Sequence, residues 1–387
     1  MSPRPERLLS VDVFRGLTIA LMILVNNPGS WAHILPPLRH AHWHGLTPTD
    51  LVFPFFLFIV GVAVALSLDR RLEAGAERRD LVRKVVVRTV LIFLCGLLLN
   101  GYPFGLPLSA EAAATFGRGS IAAAFADLRI MGVLQRIALC YLAVGLLAVL
   151  ARRRRTRVLV GAGCLVVYEL AMRLPLVAGW RGFALETNPA RWLDLQVFGA
   201  AHLWGGAGLP FDPEGLLSTL PAVATTLAGY FTGRYLRWPL PPALRARTLA
   251  VLGVAVTAAG AVTALGEPIN KQLWTVSYVV VTAGLALLAL AASLWVVDVR
   301  GWTAGAKPFI VFGSNPLVVF VGSGVLARTL SLLHTPGGTS VQRWLYTRIF
   351  QPLAGDTGGS LLQALCHVLL WLAALWVLYR RRIFIRI

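Results

Sequence analysis

Three histidines alternate in the segment His40-Ala41-His42-Trp43-His44, with Asp50 following shortly after. Imidazole is the side chain whose ordinary titration lies nearest neutrality. A histidine held just above a helix N-terminus is therefore suited to general base work. The same alternation converges on a metal ion only from an extended strand, and no neighbouring group completes a ligand set, so no metal is expected. Thr47, Pro48 and Asp50 read as the start of a helix: N-cap, first helical position and acidic first turn. Other polar residues fall inside long apolar runs, where they are costly unless they face a cavity or a partner. These are Asn26, just before Asn27-Pro28-Gly29; Asp12 and Arg15, spaced to pair on one helix face; Gln135 with Arg136; Asn270 with Lys271; and Ser314 with Asn315. Together they imply a polar cavity supported by Asp50, Asp12, Arg15, Gln135, Arg136, Asn270, Lys271, Ser314 and Asn315.

The elements that must position these groups are membrane helices. The chain has 387 residues, of which 57% are hydrophobic and 14% charged, and its mean hydropathy is +0.71. An ordinary soluble domain carries about a quarter charged residues, so that class is excluded. Apolar runs long enough to cross about 30 Å of hydrocarbon occur near 12–28, 48–68, 82–101, 131–151, 157–177, 216–236, 248–266, 274–297, 308–330 and 360–379. The expectation is an all-α polytopic membrane protein with about ten transmembrane helices in one bundle. A single domain covers 1–387, with a short cytoplasmic stretch at 1–11 and a long outer loop at 178–215. Asn315-Pro316 is expected to break the ninth span, because freed backbone at membrane depth is tolerated only where protein or a cavity covers it.

The net charge of +19 would suggest nucleic acid in a soluble protein. Here 24 of the 36 Lys and Arg residues, including the run Arg152 to Arg155, fall on one face of a ten-span arrangement. The positive-inside rule then places both termini in the cytoplasm, and no nucleic-acid partner is expected. Cys95, Cys140, Cys164 and Cys366 lie in apolar runs without metal or CxxC spacing, and read as reduced core residues. The outer stretch around 178–215 interleaves Trp180, Trp192 and Trp204 with hydrogen-bonding side chains. With Trp43 these are candidate sugar contacts, and an interfacial aromatic belt is the simpler reading of them.

The segments SVDVFRGLTIALMILVNNPG (10–29), HAHWHGLTPTDLVFPFFLFIVG (40–61), RIMGVLQRIALCYL (129–142), FDPEGLLSTLPAVATTLAGYFTG (211–233), INKQLWTVSYVVVTAG (269–284) and PFIVFGSNPLVVFV (308–321) resemble the heparan-α-glucosaminide N-acetyltransferase family and its bacterial relatives. The likeness runs from about Ser10 to Val321, and its first two segments are the most specific. The resemblance implies a transmembrane acyltransferase that takes acetyl from cytoplasmic acetyl-CoA, its co-substrate, and delivers it to the amino group of a glucosamine-type sugar on the outer side. It implies a catalytic histidine before W-x-G-L-T, which His40 matches, with His42 and His44 as additional histidines. It also implies an active-site asparagine in the V-N pair ending the first span, matched by Asn26. The chain begins almost directly at its first helix, so acceptor contacts made by the animal enzyme's luminal extension are not expected to carry over.

On this reading His40 acts as general base and Asn26 orients the carbonyl or bonds to the developing oxyanion. The nucleotide end of coenzyme A rests near the arginine-rich inner face. An acetyl-His40 intermediate is the rival route. Broken helices with intramembrane polar groups also describe secondary transporters, so a permease for a sugar or amino sugar is the alternative class. Expected partners are acetyl-CoA, an amino-sugar acceptor and the lipid bilayer, with a homodimer left open.

Overall fold

The computed structural model describes residues 8–105 and 121–385. Arg4, Arg7, Arg118 and Arg386, most of the 1–11 stretch and part of the segment 102–130 lie outside the described residues. A helix occupies each of the ten runs picked out by hydropathy. The elements are α1 (Leu9–Asn26), α2 (Pro48–Glu73), α3 (Arg78–Gly101), α4 (Val133–Leu150), α5 (Arg154–Arg173), the short α6 (Pro189–Phe198), α7 (Leu216–Leu236), α8 (Pro242–Thr263), α9 (Val276–Val299), α10 (Ala306–Ser314), α11 (Pro316–Leu332) and α12 (Val341–Arg380). Among the described residues no strand forms; two isolated bridges, Val177 with Trp180 and His334 with Ser340, tie loops.

Among the described residues six helices are both long and apolar enough to cross a bilayer, or seven if α10 and α11, bent by 82° at Asn315, are one span. The protein is therefore a polytopic helical membrane protein. Three further helices have the length but a lower hydropathy, for readable reasons. α3 and α5 open on arginine-rich turns, and α7 carries Ser218, Thr219, Thr225, Thr226 and Thr232 on buried positions. The threonine hydroxyls of α7 donate to the carbonyls four residues back, Thr219 to Gly215 and Thr226 to Ala222 among them, so they are satisfied inside the helix. Outward-facing apolar side chains form the lipid-facing surface: Val90, Leu94 and Leu98 on α3, Leu159 and Val166 on α5, Val251 and Val262 on α8, and Leu369 on α12.

Without a hydrophobic drive between helices in lipid, small residues allow the backbones to meet. α2 and α7 do this at Gly61 and Gly229. A Cβ on Gly61 would stand 1.9 Å from the carbonyl oxygen of Thr226, and one on Gly229 would stand 1.9 Å from that of Phe58. α1 meets α10 in the same way, Gly16 lying against the carbonyl of Phe309. The main core joins α2, α3, α4, α7 and the start of α9 around Leu57, Val85, Cys140, Tyr230 and Trp274. A smaller apolar core, with Tyr168, Met172, Ala190, Phe211 and Leu273, fixes the 178–215 segment against the ends of α5 and α9.

Two details depart from the expected layout. The stretch 331–359 between the last two apolar runs is helical from Val341, where Ser340 caps the helix by accepting from the backbone N–H of Arg343; α12 then kinks at Gly355, whose φ is 70°. Window hydropathy missed it because Arg343, Arg348 and Asp356 dilute the apolar signal there. The break at Asn315 is present, and its amide is used: Nδ2 donates to the carbonyl of Ile383 and Oδ1 accepts from the N–H of Ile385. Freed helix ends thereby pin the C-terminal tail.

Candidate active site

Local capping chemistry builds the site. Pro28 cannot continue α1, and the Asn27 side chain donates to the carbonyl of Ile23 at 2.7 Å, which ends the helix with Asn26 on its last turn. Across from it, Thr47 opens α2. Asp50 Oδ2 accepts from the Thr47 N–H at 3.0 Å, from the Thr47 hydroxyl at 2.9 Å and from the Ala41 N–H at 3.1 Å. The capping reading of Asp50 is thus correct for one oxygen. The other oxygen is given to His40, whose Nδ1 lies 2.6 Å away.

Asp50 is fully buried, whereas the His40 side chain is 44% exposed at the mouth of a cavity. An ionised carboxylate only accepts, so the imidazole proton sits on Nδ1 and Nε2 keeps its lone pair. This is the carboxylate–histidine arrangement that fixes a base in one tautomer. Lys271 stands beside it, with Nζ 3.5 Å from Asp50 Oδ1, 3.0 Å from His40 Nδ1 and 3.4 Å from His40 Nε2. Because Nδ1 bears a proton, the favourable contact of the ammonium is with the carboxylate. Burial pushes the Lys271 amine below its ordinary titration range, against the opposing pull of Asp50 and Glu214.

The other two histidines have separate surroundings. His44 Nδ1 accepts from Asn270 Nδ2 at 3.2 Å, and the N–H of Gly45 donates to the carbonyl of Ile269. These bonds fasten the 266–275 loop over the site and hold Lys271 in place. Asn270, fully buried, also accepts from the Leu273 N–H and orders this turn, in which Trp274 has φ 57°. His42 lines the cavity, its carbonyl contacted by Gln272.

The cavity has a volume of about 590 Å³. Asn26, His40, Asp50, Trp43, Trp204 and Lys271 all line it, so the structure brings six of the residues singled out in the sequence to one space. Asn26 is exposed to it and makes no side-chain hydrogen bond to a described residue. Its deeper wall is apolar: Met22 and Val25 of α1, Phe53 and Phe56 of α2, Val133 and Ile137 of α4 and Phe320 of α11. A polar mouth continues into an apolar throat between four helices.

Sequence reasoning undervalued one wall of the mouth. Arg129 forks onto Asp212 at 2.7 and 2.8 Å, reaches Glu214 at 2.5 Å, and lies 6.0 Å over the Trp204 ring. Burial opposes its charge, but the two carboxylates outweigh this and hold it above its ordinary range. Asp212 and Glu214 stand just before α7, at positions suited to its acidic first turn. That cap is instead supplied from a distance by Asp194, whose Oδ1 accepts from the Leu216 N–H at 2.9 Å. Nothing in the spacing of Asp194 signals this role.

The remaining sequence-selected residues lie elsewhere. Gln135 and Arg136 are buried behind the cavity. Arg136 donates to the Gly215 carbonyl and the Ser218 hydroxyl, and its guanidinium lies 5.2 Å from the Trp274 ring. Asp12 and Arg15 pair at 3.1 Å near the start of α1, where Arg15 also donates to the Gly313 carbonyl. Ser314 and Asn315 serve the α10–α11 break. Trp180 carries Arg191 over its ring at 5.5 Å, and neither it nor Trp192 lines the cavity. Among the described residues no group of three or more His, Cys, Asp and Glu side chains is disposed to hold a metal ion.

Fold and site together define a polytopic helical membrane protein with a carboxylate-oriented histidine at the mouth of an intramembrane cavity. Residues 7–256 match the family described as heparan-alpha-glucosaminide N-acetyltransferase, catalytic, and the chain belongs to that family. It is 28% identical over 449 aligned positions to the heparan-alpha-glucosaminide N-acetyltransferase of Homo sapiens, an alignment covering 100% of this chain and 61% of that protein. It is 27% identical over 442 positions to the Mus musculus protein of the same name, covering 99% of this chain and 61% of the other. The chain thus spans 61% of the length of the curated relatives it matches.

Proposed function

We propose that the protein is a membrane-embedded N-acetyltransferase that carries an acetyl group from acetyl-CoA on the cytoplasmic side to the amino group of a glucosamine-type sugar on the outer side. The observation that carries this reading is the His40–Asp50 pair facing, with Asn26, a cavity whose throat is apolar. A pantetheine arm is long and largely uncharged, which suits that throat, while the phosphates of coenzyme A suit the arginine-rich face. In the reaction His40 Nε2 takes the proton of the attacking amine as its nitrogen bonds to the acetyl carbon. Asn26 Nδ2 donates to the carbonyl oxygen as negative charge grows there, a contribution on the order of 3 kcal/mol for a well-aimed donor. The carbon–sulfur bond then breaks, and the thiolate leaves and takes up a proton. Trp43 and Trp204 border the mouth, where a sugar ring would stack. Ten spans, both termini cytoplasmic, in a bacterial-type inner membrane, complete the proposal; the basic ends of α3 and α5 support it.

The test is direct. Purified protein in detergent, given acetyl-CoA and glucosamine, is expected to release free thiol and N-acetylglucosamine. His40→Ala abolishes release while monodisperse elution and coenzyme A binding persist. Absence of turnover with amino-sugar acceptors, together with sugar uptake in proteoliposomes, would establish the permease alternative instead. Near-normal activity in His40→Ala with loss in His42→Ala or His44→Ala would move the base to another histidine.

A further inference from the structure

A second cavity, of about 350 Å³, lies away from the site described above, where α12 ends beside the start of α10. It is lined by Lys307, Trp376, Tyr379, Arg380, Arg382 and Phe384, three cations and three aromatics with no carboxylate among them. Lys307 Nζ lies 5.1 Å and the Arg380 guanidinium 5.9 Å from the centre of the same Trp376 ring. Two like charges gathered on one indole repel, and an anion between them relieves this. Arg129, Arg173 and Arg237 each have carboxylate partners, whereas no ion pair to a described residue is formed by Lys307, Arg380 or Arg382. The pocket is also built: the Asn315 amide clamps Ile383 and Ile385, and Phe384 stands edge-on to Tyr379, with ring centres 6.1 Å apart.

We propose that this pocket binds the phosphate headgroup of an acidic phospholipid. Its surroundings favour a lipid. Phe384 of the lining and its neighbours Ile383 and Ile385, with Val377 next to Trp376, are 40–51% exposed, apolar surface suited to acyl chains beside a phosphate held by the cations. The neighbouring break between α10 and α11 is anchored through the same tail, so an occupied pocket would steady that joint.

The experiment compares wild type, the double variant Lys307→Gln/Arg382→Gln and a charge-matched control, Arg343→Gln/Arg348→Gln, whose residues are exposed near the start of α12. Each is reconstituted in phosphatidylcholine nanodiscs with and without phosphatidylglycerol, then extracted, and co-purifying lipid is counted by native mass spectrometry. Each cation near an anionic headgroup is worth about a fivefold factor, so the pocket variant is expected to retain about twenty-five-fold less phosphatidylglycerol, with the control near wild type. Equal losses in both variants, or none in either, would overturn the proposal. So would a result in which the pocket variant keeps its lipid and instead loses affinity for adenosine 3′,5′-bisphosphate, which would make the pocket a nucleotide site. Monodisperse elution of the pocket variant separates loss of binding from loss of fold.

Discussion

At the residue scale the site turns on how Asp50 divides its two oxygens. Oδ2 closes the first turn of α2 and Oδ1 orients His40, so one carboxylate joins fold to chemistry. Asp50→Asn is expected to keep part of the cap but to lose control of the tautomer, lowering kcat on the order of a hundredfold or more with a smaller effect on KM; an unchanged kcat would remove Asp50 from the mechanism. Lys271 gives a different signature. Its Nζ stands 3.5 Å from Asp50 Oδ1 and 3.0 Å from the ring, so Lys271→Met leaves the buried carboxylate without its cation. kcat/KM should fall in Lys271→Met and recover in Lys271→Arg, which restores the charge. If Lys271→Arg is as impaired as Lys271→Met, the charge at position 271 does not support the Asp50–His40 pair. Asn26 and Asp50 stood out because each sits where a helix stops or starts, whereas His40 was set apart from His42 and His44 by the family resemblance alone. Arg129 was visible only as a charge near a span end, since its partners Asp212 and Glu214 lie more than eighty positions away and have an adequate local explanation as a cap.

At the element scale the helices followed from hydropathy because lipid forces backbone groups to pair within each segment, so an apolar run has one structural outcome. What the sequence left hidden were joints made by distant residues. The N-terminus of α7 is the clearest. Asp194 caps it from the 178–215 segment, and Asp194 Oδ2 is buried with no hydrogen-bond partner among the described residues. Burial raises its carboxyl group from 3.8 to about 7, with Asp212 adding to the rise and the Leu216 N–H and Arg136 opposing it. A raised carboxyl pKa means the folded state holds a proton that the unfolded state has released. Stability therefore falls as pH rises from about 4 to about 7 and levels off above, by on the order of 4 kcal/mol at most for this group. Glu267, which caps the start of α9 through the Ser277 N–H, is raised by burial to about 8 and extends the decline to that pH. Asp194→Asn should flatten the lower part of a Tm-against-pH curve measured in detergent. A variant curve parallel to wild type between pH 5 and 7 would show that Asp194 does not hold that proton.

At the scale of the whole molecule, the two ends of the bundle differ in kind. One end gathers the His40 mouth, the 178–215 segment and the 266–275 loop; the other carries the arginine runs opening α3 and α5 and closing α12. In the proposed reaction that polarity gives the +19 charge a use: orientation in the membrane and attraction of the anionic donor to one side, with the amine acceptor met on the other. The proposed reaction then has a sidedness that a simple soluble transferase lacks. Sealed inside-out vesicles, which present the basic face to the medium, should consume added acetyl-CoA when glucosamine is trapped in their lumen. Right-side-out vesicles loaded and fed in the same way should be silent until permeabilised, because coenzyme A cannot cross and, in the proposed reaction, enters from the basic face. Equal turnover in the two preparations would mean that donor and acceptor reach His40 through the same mouth, and the apolar throat between α1, α2, α4 and α11 would lose its role as the donor's path while His40 kept its own.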